Sequence, residues 1–132
     1  MAVVLYCPSK ERLGEDLFQI IKNEIPEHTI EIYSSLDELS KRLRRPMLDV
    51  SVAVLYASNR AELMEMITLN DLLGELEVVL VLPDSQPDIL EKAHILRPRF
   101  IVETEDDFKQ LGSVLKKMTE RYNKTHEIQI NE

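Results

Sequence analysis

The chain has one cysteine, no tryptophan and only three glycines in 132 residues. A single cysteine forms no internal disulfide and builds no multi-cysteine metal site, so a reducing, cytoplasmic setting is expected. So few glycines exclude collagen-like and long flexible segments. No apolar run approaches the ~20 residues that span a bilayer. The start MAVVLYCPS lacks the basic and long apolar regions of a signal peptide. Positive charge is also scarce: 16 Lys and Arg against 24 Asp and Glu leave a formal net charge of −8. That balance argues against nonspecific binding to nucleic acid or to an anionic membrane, since both need a basic face. The remainder, 44% hydrophobic and 30% charged, is the mix of one globular domain long enough to bury a core.

Short apolar runs alternate with amphipathic segments from end to end. VVLYC (3–7), TIEIYS (29–34), VSVAVLYA (50–57), EVVLVL (77–82) and RFIVE (99–103) have the length and the Val, Ile and Tyr content of strands. Five helical patterns separate and follow them. The first carries Leu13, Leu17, Ile20, Ile21 and Ile25 on one face. The second opens at Ser35, with Glu38 at capping-box spacing, and stops at Pro46. The third opens at Asn59 and runs to Leu73. The fourth has Pro87 in its first turn, and the fifth opens at Thr104 or Glu105.

Five β–α units imply a parallel sheet covered on both faces. The first, third and fourth strands are nearly continuous apolar runs, as central strands are. The second alternates, with Glu31 expected on an exposed face, and the fifth is short and ends in acids; both belong at edges. The expected fold is therefore an α/β flavodoxin-like three-layer sandwich, five parallel strands in order 2-1-3-4-5 with five helices. Residues 1–124 form the domain. Residues 125–132 form a tail in which Ile128 and Ile130 alternate as in a strand, suited to strand addition.

Ligands in such sheets bind beyond the carboxyl ends of the strands. No glycine lies in the loops there, so no phosphate cradle is expected, and a flavin site lacks aromatics. Cys7, ending the first strand, is the candidate nucleophile of an alternative reading, a small cysteine-dependent phosphocarrier or phosphatase. The phosphatase pattern needs five residues between cysteine and arginine; here Arg12 follows after four, and Pro8 removes an N–H donor. The three histidines are not spaced as metal ligands. Neither cofactor nor metal is expected, and a small-ligand binding domain is a further alternative without a specific motif.

Over residues 1–124 the chain resembles the CheY-like receiver domains of bacterial response regulators. LDVSVAVLYA (48–57) is similar to the family's third strand and RPRFIVETED (97–106) to its fifth. The resemblance implies paired acids after the first strand, where Cys7, Pro8 and Ser9 stand. It implies a phosphoacceptor Asp ending the third strand, where Val54, Leu55 and Tyr56 stand, with Ser58 beyond. It implies Ser or Thr ending the fourth strand, where Leu82-Pro83 precede Asp84, and Lys-Pro ending the fifth, where Glu103-Thr104 stand. Phosphoryl transfer to Asp needs Mg²⁺ and a lysine to neutralise developing charge. The expectation is a degenerate receiver, not an enzyme, acting through protein partners and as a homodimer. Candidate interaction residues are the basic Lys41, Arg42, Arg44 and Arg45 closing the second helix. By analogy with the receiver dimer face, His94, Arg97 and Phe100 join them.

Overall fold

The computed structural model describes residues 2–7, 12–46, 49–74, 76–82 and 86–130, with the side chains of residues 12, 13, 105 and 121–130 left aside. Five strands are β1 (Ala2–Tyr6), β2 (Thr29–Tyr33), β3 (Val50–Tyr56), β4 (Glu77–Val81) and β5 (Phe100–Val102). They are joined by α1 (Arg12–Glu24), α2 (Leu36–Leu43), α3 (Arg60–Ile67), α4 (Asn70–Leu73) and α5 (Pro87–Ala93) with its 3-10 turn His94–Leu96, and α6 (Glu105–Ile130) follows β5. All pairings are parallel, in order β2-β1-β3-β4-β5. The fold is flavodoxin-like, with the expected strand order.

Every residue of β1 and β3 is buried, as two helical layers require. One layer packs Leu39, Leu43, Leu63, Met66, Ile89 and Ala93 from α2, α3 and α5 against the sheet. The other packs Leu17 and Ile21 of α1 with Leu111, Leu115 and Met118 of α6. The ladder between β1 and β3 slips by one residue between Ala2 and Val3, leaving Ser51 extra on β3. Its hydroxyl donates to the Ala2 carbonyl at 3.4 Å, which satisfies a polar group buried at the slip.

The helix starts follow the sequence. Ser35 Oγ accepts from Glu38 N–H at 3.2 Å, Asn59 Oδ1 accepts from Glu62 N–H at 2.8 Å, and Pro87 opens α5. Three expectations are corrected. The third helical pattern breaks into α3 and α4, because the Thr68 hydroxyl bonds the Glu65 carbonyl and the chain tightens there. α6 continues to Ile130, so the tail is helical and not a strand. Glu31 is not on an open face of β2: it lies partly buried under α2, and Ile32 is the residue exposed, at 54%.

Candidate functional site

The ladder runs one residue past each central strand. Cys7 N–H donates to the Tyr33 carbonyl at 3.0 Å, Ala57 N–H to Val81 at 3.1 Å and Leu82 N–H to Val102 at 2.8 Å. The carboxyl edge of the sheet is thereby paved with buried residues. Cys7 and Tyr56 both pack into the layer under α1 and α6, and Val54 and Leu55 before Tyr56 are fully enclosed. The Cys7 residue is 7% exposed and packs there among apolar side chains.

Two carboxylates at this edge, those of Glu62 and Asp107, are engaged at helix starts. Glu62 Oε1 accepts from Ser58 N–H at 2.9 Å and from its hydroxyl at 3.3 Å. Burial, with the negative Glu62 carboxylate nearby, pushes the Tyr6 hydroxyl up to about 12. Asp107 Oδ2 accepts from Glu103 N–H at 3.0 Å and Thr104 N–H at 3.3 Å, while Asp107 N–H donates to Thr104 Oγ1 at 3.2 Å. That is a reciprocal box at the start of α6. Across the edge, Arg60 of α3 and Asp88 of α5 form an exposed ion pair at 2.9 Å.

The strand order therefore places Cys7, Tyr56 and Ser58 on adjacent strand ends, with Glu103 two strands beyond β3. Pro8, Ser9 and Asp84 lie outside the described residues. Sequence reasoning marked Glu62 only as the cap-spaced residue after Asn59, and missed its bonds to Ser58, the Asp107 box and the Arg60–Asp88 pair. Their signals were present as cap spacing, Glu62 three residues after Asn59 and Asp107 three after Thr104. Among the described residues, no three His, Cys, Asp or Glu side chains cluster as a metal site, and no helix is long and apolar enough to cross a membrane.

The basic cluster of α2 divides. Position 42 shares the inner face with Leu39 and Leu43, so the Arg42 side chain is only 7% exposed. Its Nε and Nη2 bond the two Glu31 oxygens at 2.7 and 3.3 Å, Nη1 reaches the Pro46 carbonyl at 3.3 Å, and Nη2 lies 3.5 Å from Asp49 Oδ1. Tyr33 donates to the same Glu31 carboxylate at 2.7 Å. The arginine holds the Glu31 carboxyl below its ordinary value; burial and Glu31 hold the Tyr33 hydroxyl above its own. Arg42 thus locks α2 to β2 and is withdrawn from the interaction surface, whereas Lys41, Arg44 and Arg45 are exposed. His94 and Arg97 are also exposed, Arg97 with a left-handed φ of 51°, and Phe100 is half-buried at the start of β5.

No protein-family model matches this chain, and no curated protein does. Solved structures do. A pilus assembly-related protein from Burkholderia pseudomallei superposes with a TM-score of 0.69 at 16% identity, covering 89% of this chain and 88% of that one. A CpaE pilus assembly protein from Burkholderia thailandensis gives 0.70 at 15% identity, covering 91% and 98%. The response regulator RcsB of Salmonella typhimurium, described for DNA interaction, gives 0.67 at 16% identity, covering 91% of this chain and 60% of RcsB. The chain has the receiver fold.

Proposed function

We propose that this chain is a receiver-fold signalling or assembly domain that has no phosphoacceptor and acts, without catalysis, through protein–protein contacts in a reducing compartment. One observation carries the reading. Where a receiver's acceptor carboxylate would end β3, this chain has Val54, Leu55 and Tyr56, all buried. Support comes from Glu62, whose carboxylate already accepts from the Ser58 N–H and hydroxyl. Glu103 stands near the place of the family's lysine, and Arg60 at this end is paired with Asp88, so the described residues here offer little to offset the charge of a phosphoryl group. The likeness to chains named for pilus assembly, each covered over most of its length, favours an assembly setting over a DNA-binding one.

The test is incubation with acetyl phosphate, or with beryllofluoride and Mg²⁺, followed by intact-mass and NMR measurements. No adduct and no shift are expected. A stoichiometric acyl phosphate on any carboxylate refutes the reading. Turnover of p-nitrophenyl phosphate that Cys7→Ser abolishes would put the cysteine chemistry in its place. Self-association is proposed on the face of α5, β5 and α6, where Ile95 is 44% exposed beside His94 and Arg97. Ile95→Asp should convert a dimer to a monomer in sedimentation; a dimer that persists refutes that face.

A further inference from the structure

We propose that the cavity between α4 and the 3-10 turn after α5 binds a free aliphatic α-amino acid, its ammonium held by Asp71 and its carboxylate by Arg97. The inference goes beyond the protein-contact reading above and does not rest on it.

The cavity lies at the amino-terminal end of β4, away from the sheet edge where receiver chemistry would sit. Its volume is about 230 Å³. Sites for drug-sized ligands begin at roughly 300 Å³, so this one suits a smaller molecule. Its base is apolar: Leu73, Val78 and Leu96 line it, and all three are buried members of the core layer under α2, α3 and α5. Its polar lining comes from Asn70 and Asp71 on α4 and from Arg97 after the 3-10 turn. Gly74, with φ of 48°, and Arg97, with φ of 51°, are the left-handed residues of the described chain, and both line the cavity. They turn the backbone at the ends of α4 and the 3-10 turn, which fixes the walls without any ligand.

The charges decide the ligand class. Asp71 and Arg97 have opposite sign and line one cavity, yet neither makes an ion pair or side-chain hydrogen bond among the described residues. The charges beside them are not in the same state: Glu77, opening β4, and Arg99, before β5, lie 3.5 Å apart. A small zwitterion satisfies both lone charges at once through charge-assisted hydrogen bonds. A peptide terminus offers only one of the two charges, so a free α-amino acid fits better. The apolar base selects an aliphatic side chain over a polar one. Both charged side chains are exposed and must be ordered on binding, so affinity in the millimolar range is expected.

The experiment is a titration of the full chain with L-leucine, followed by amide NMR shifts. Saturable shifts should appear at residues 70–74, 76–78 and 96–97. Glycine lacks the side chain, 4-methylpentanoate the ammonium and 3-methylbutylamine the carboxylate; each should bind roughly tenfold more weakly or worse. Asp71→Asn and Arg97→Gln should each weaken leucine to a similar degree, at an unchanged melting temperature. The proposal is overturned by no saturable shift, by shifts confined to the carboxyl edge of the sheet, by equal binding of leucine and its three analogues, or by full binding in both variants. Shifts in this patch that follow protein concentration without leucine, and vanish in Ile95→Asp, would make a second copy the occupant and overturn it too. An acyl phosphate in the previous test would refute the receiver reading and leave this cavity standing.

Discussion

Arg42→Leu is the substitution whose consequence is most firmly fixed by the geometry. Leucine keeps the apolar contact with Leu39 and Leu43 and removes four polar links at once: two to Glu31, one to Pro46 and one to Asp49. Breaking a buried ion pair costs ~3–5 kcal/mol because the surviving charge is stranded. Glu31 keeps 24% of its side chain in water, which recovers part of that, so about 2–3 kcal/mol is expected. For a domain of this size the melting temperature should fall by roughly 6–12 °C. Urea denaturation of the four proteins of the cycle Glu31→Leu, Arg42→Leu isolates the pair. The double variant should regain about half of the single loss, since no lone charge remains. The pH response follows the same bond. The Glu31 carboxyl is held below its ordinary 4.5 chiefly by the Arg42 hydrogen bond. The folded state therefore gives up the proton more readily than the unfolded one. That stability is complete above 4.5 and is lost as pH falls through the depressed folded value; the Arg42→Leu variant should show a shallower acid limb. A loss below about 1 kcal/mol, or a cycle with no coupling, would refute the structural role and return Arg42 to the docking surface.

Other outcomes can be checked in the same assay. His28 has a side chain only 1% exposed, with neither ring nitrogen hydrogen-bonded and Glu27 3.7 Å away. Burial lowers its pKa below 6.5, so the unfolded chain takes the proton first and stability falls as pH drops through 6.5. His28→Leu should flatten that limb, and an unchanged pH profile would refute the assignment. Tyr6→Phe removes the hydroxyl of a buried tyrosine beside the Glu62 carboxylate and should cost about 1 kcal/mol. In the parent protein, stability should decline between pH 10 and about 12 as the unfolded tyrosine ionises first. A Tyr6 that titrates at 10 in ultraviolet absorbance would contradict its burial. Gly112→Ala places a Cβ 2.5 Å from Glu24 Cγ, the flexible and exposed end of that side chain. Glu24 can swing away, so the helix-propensity gain should leave the variant neutral to about 1 kcal/mol more stable; a loss above 1 kcal/mol would mean that α1 cannot yield.

The strand order was legible because burial on two faces writes itself into composition. VSVAVLYA and EVVLVL read as covered on both sides, and TIEIYS and RFIVE read as edges. Helix starts were legible wherever a cap spacing preceded an apolar stripe, as at Ser35 and Asn59. The break after Ile67 was not, since the apolar period of the third pattern continues across Thr68 and only its hydroxyl bond interrupts the ladder. The helical tail was not either: Ile128 and Ile130 carry the period of a strand, and in the structure the course of α6 overrides it.

The misreading of Glu31 has the same root as the misreading of Arg42. Alternation in TIEIYS states that Glu31 and its isoleucine neighbours face opposite ways, but it cannot state which face a helix covers. The default places the acid outside and the isoleucines inside. Here the two choices are coupled through eleven residues of chain: Arg42 falls on the inner face of α2 with Leu39 and Leu43, and a guanidinium there needs a carboxylate beneath it. Either residue alone reads as surface charge. Together they satisfy each other under α2 and leave Ile32 at the rim, where an isolated domain gains nothing from it. The ion pair that fixes α2 therefore also decides which face of β2 the helix covers.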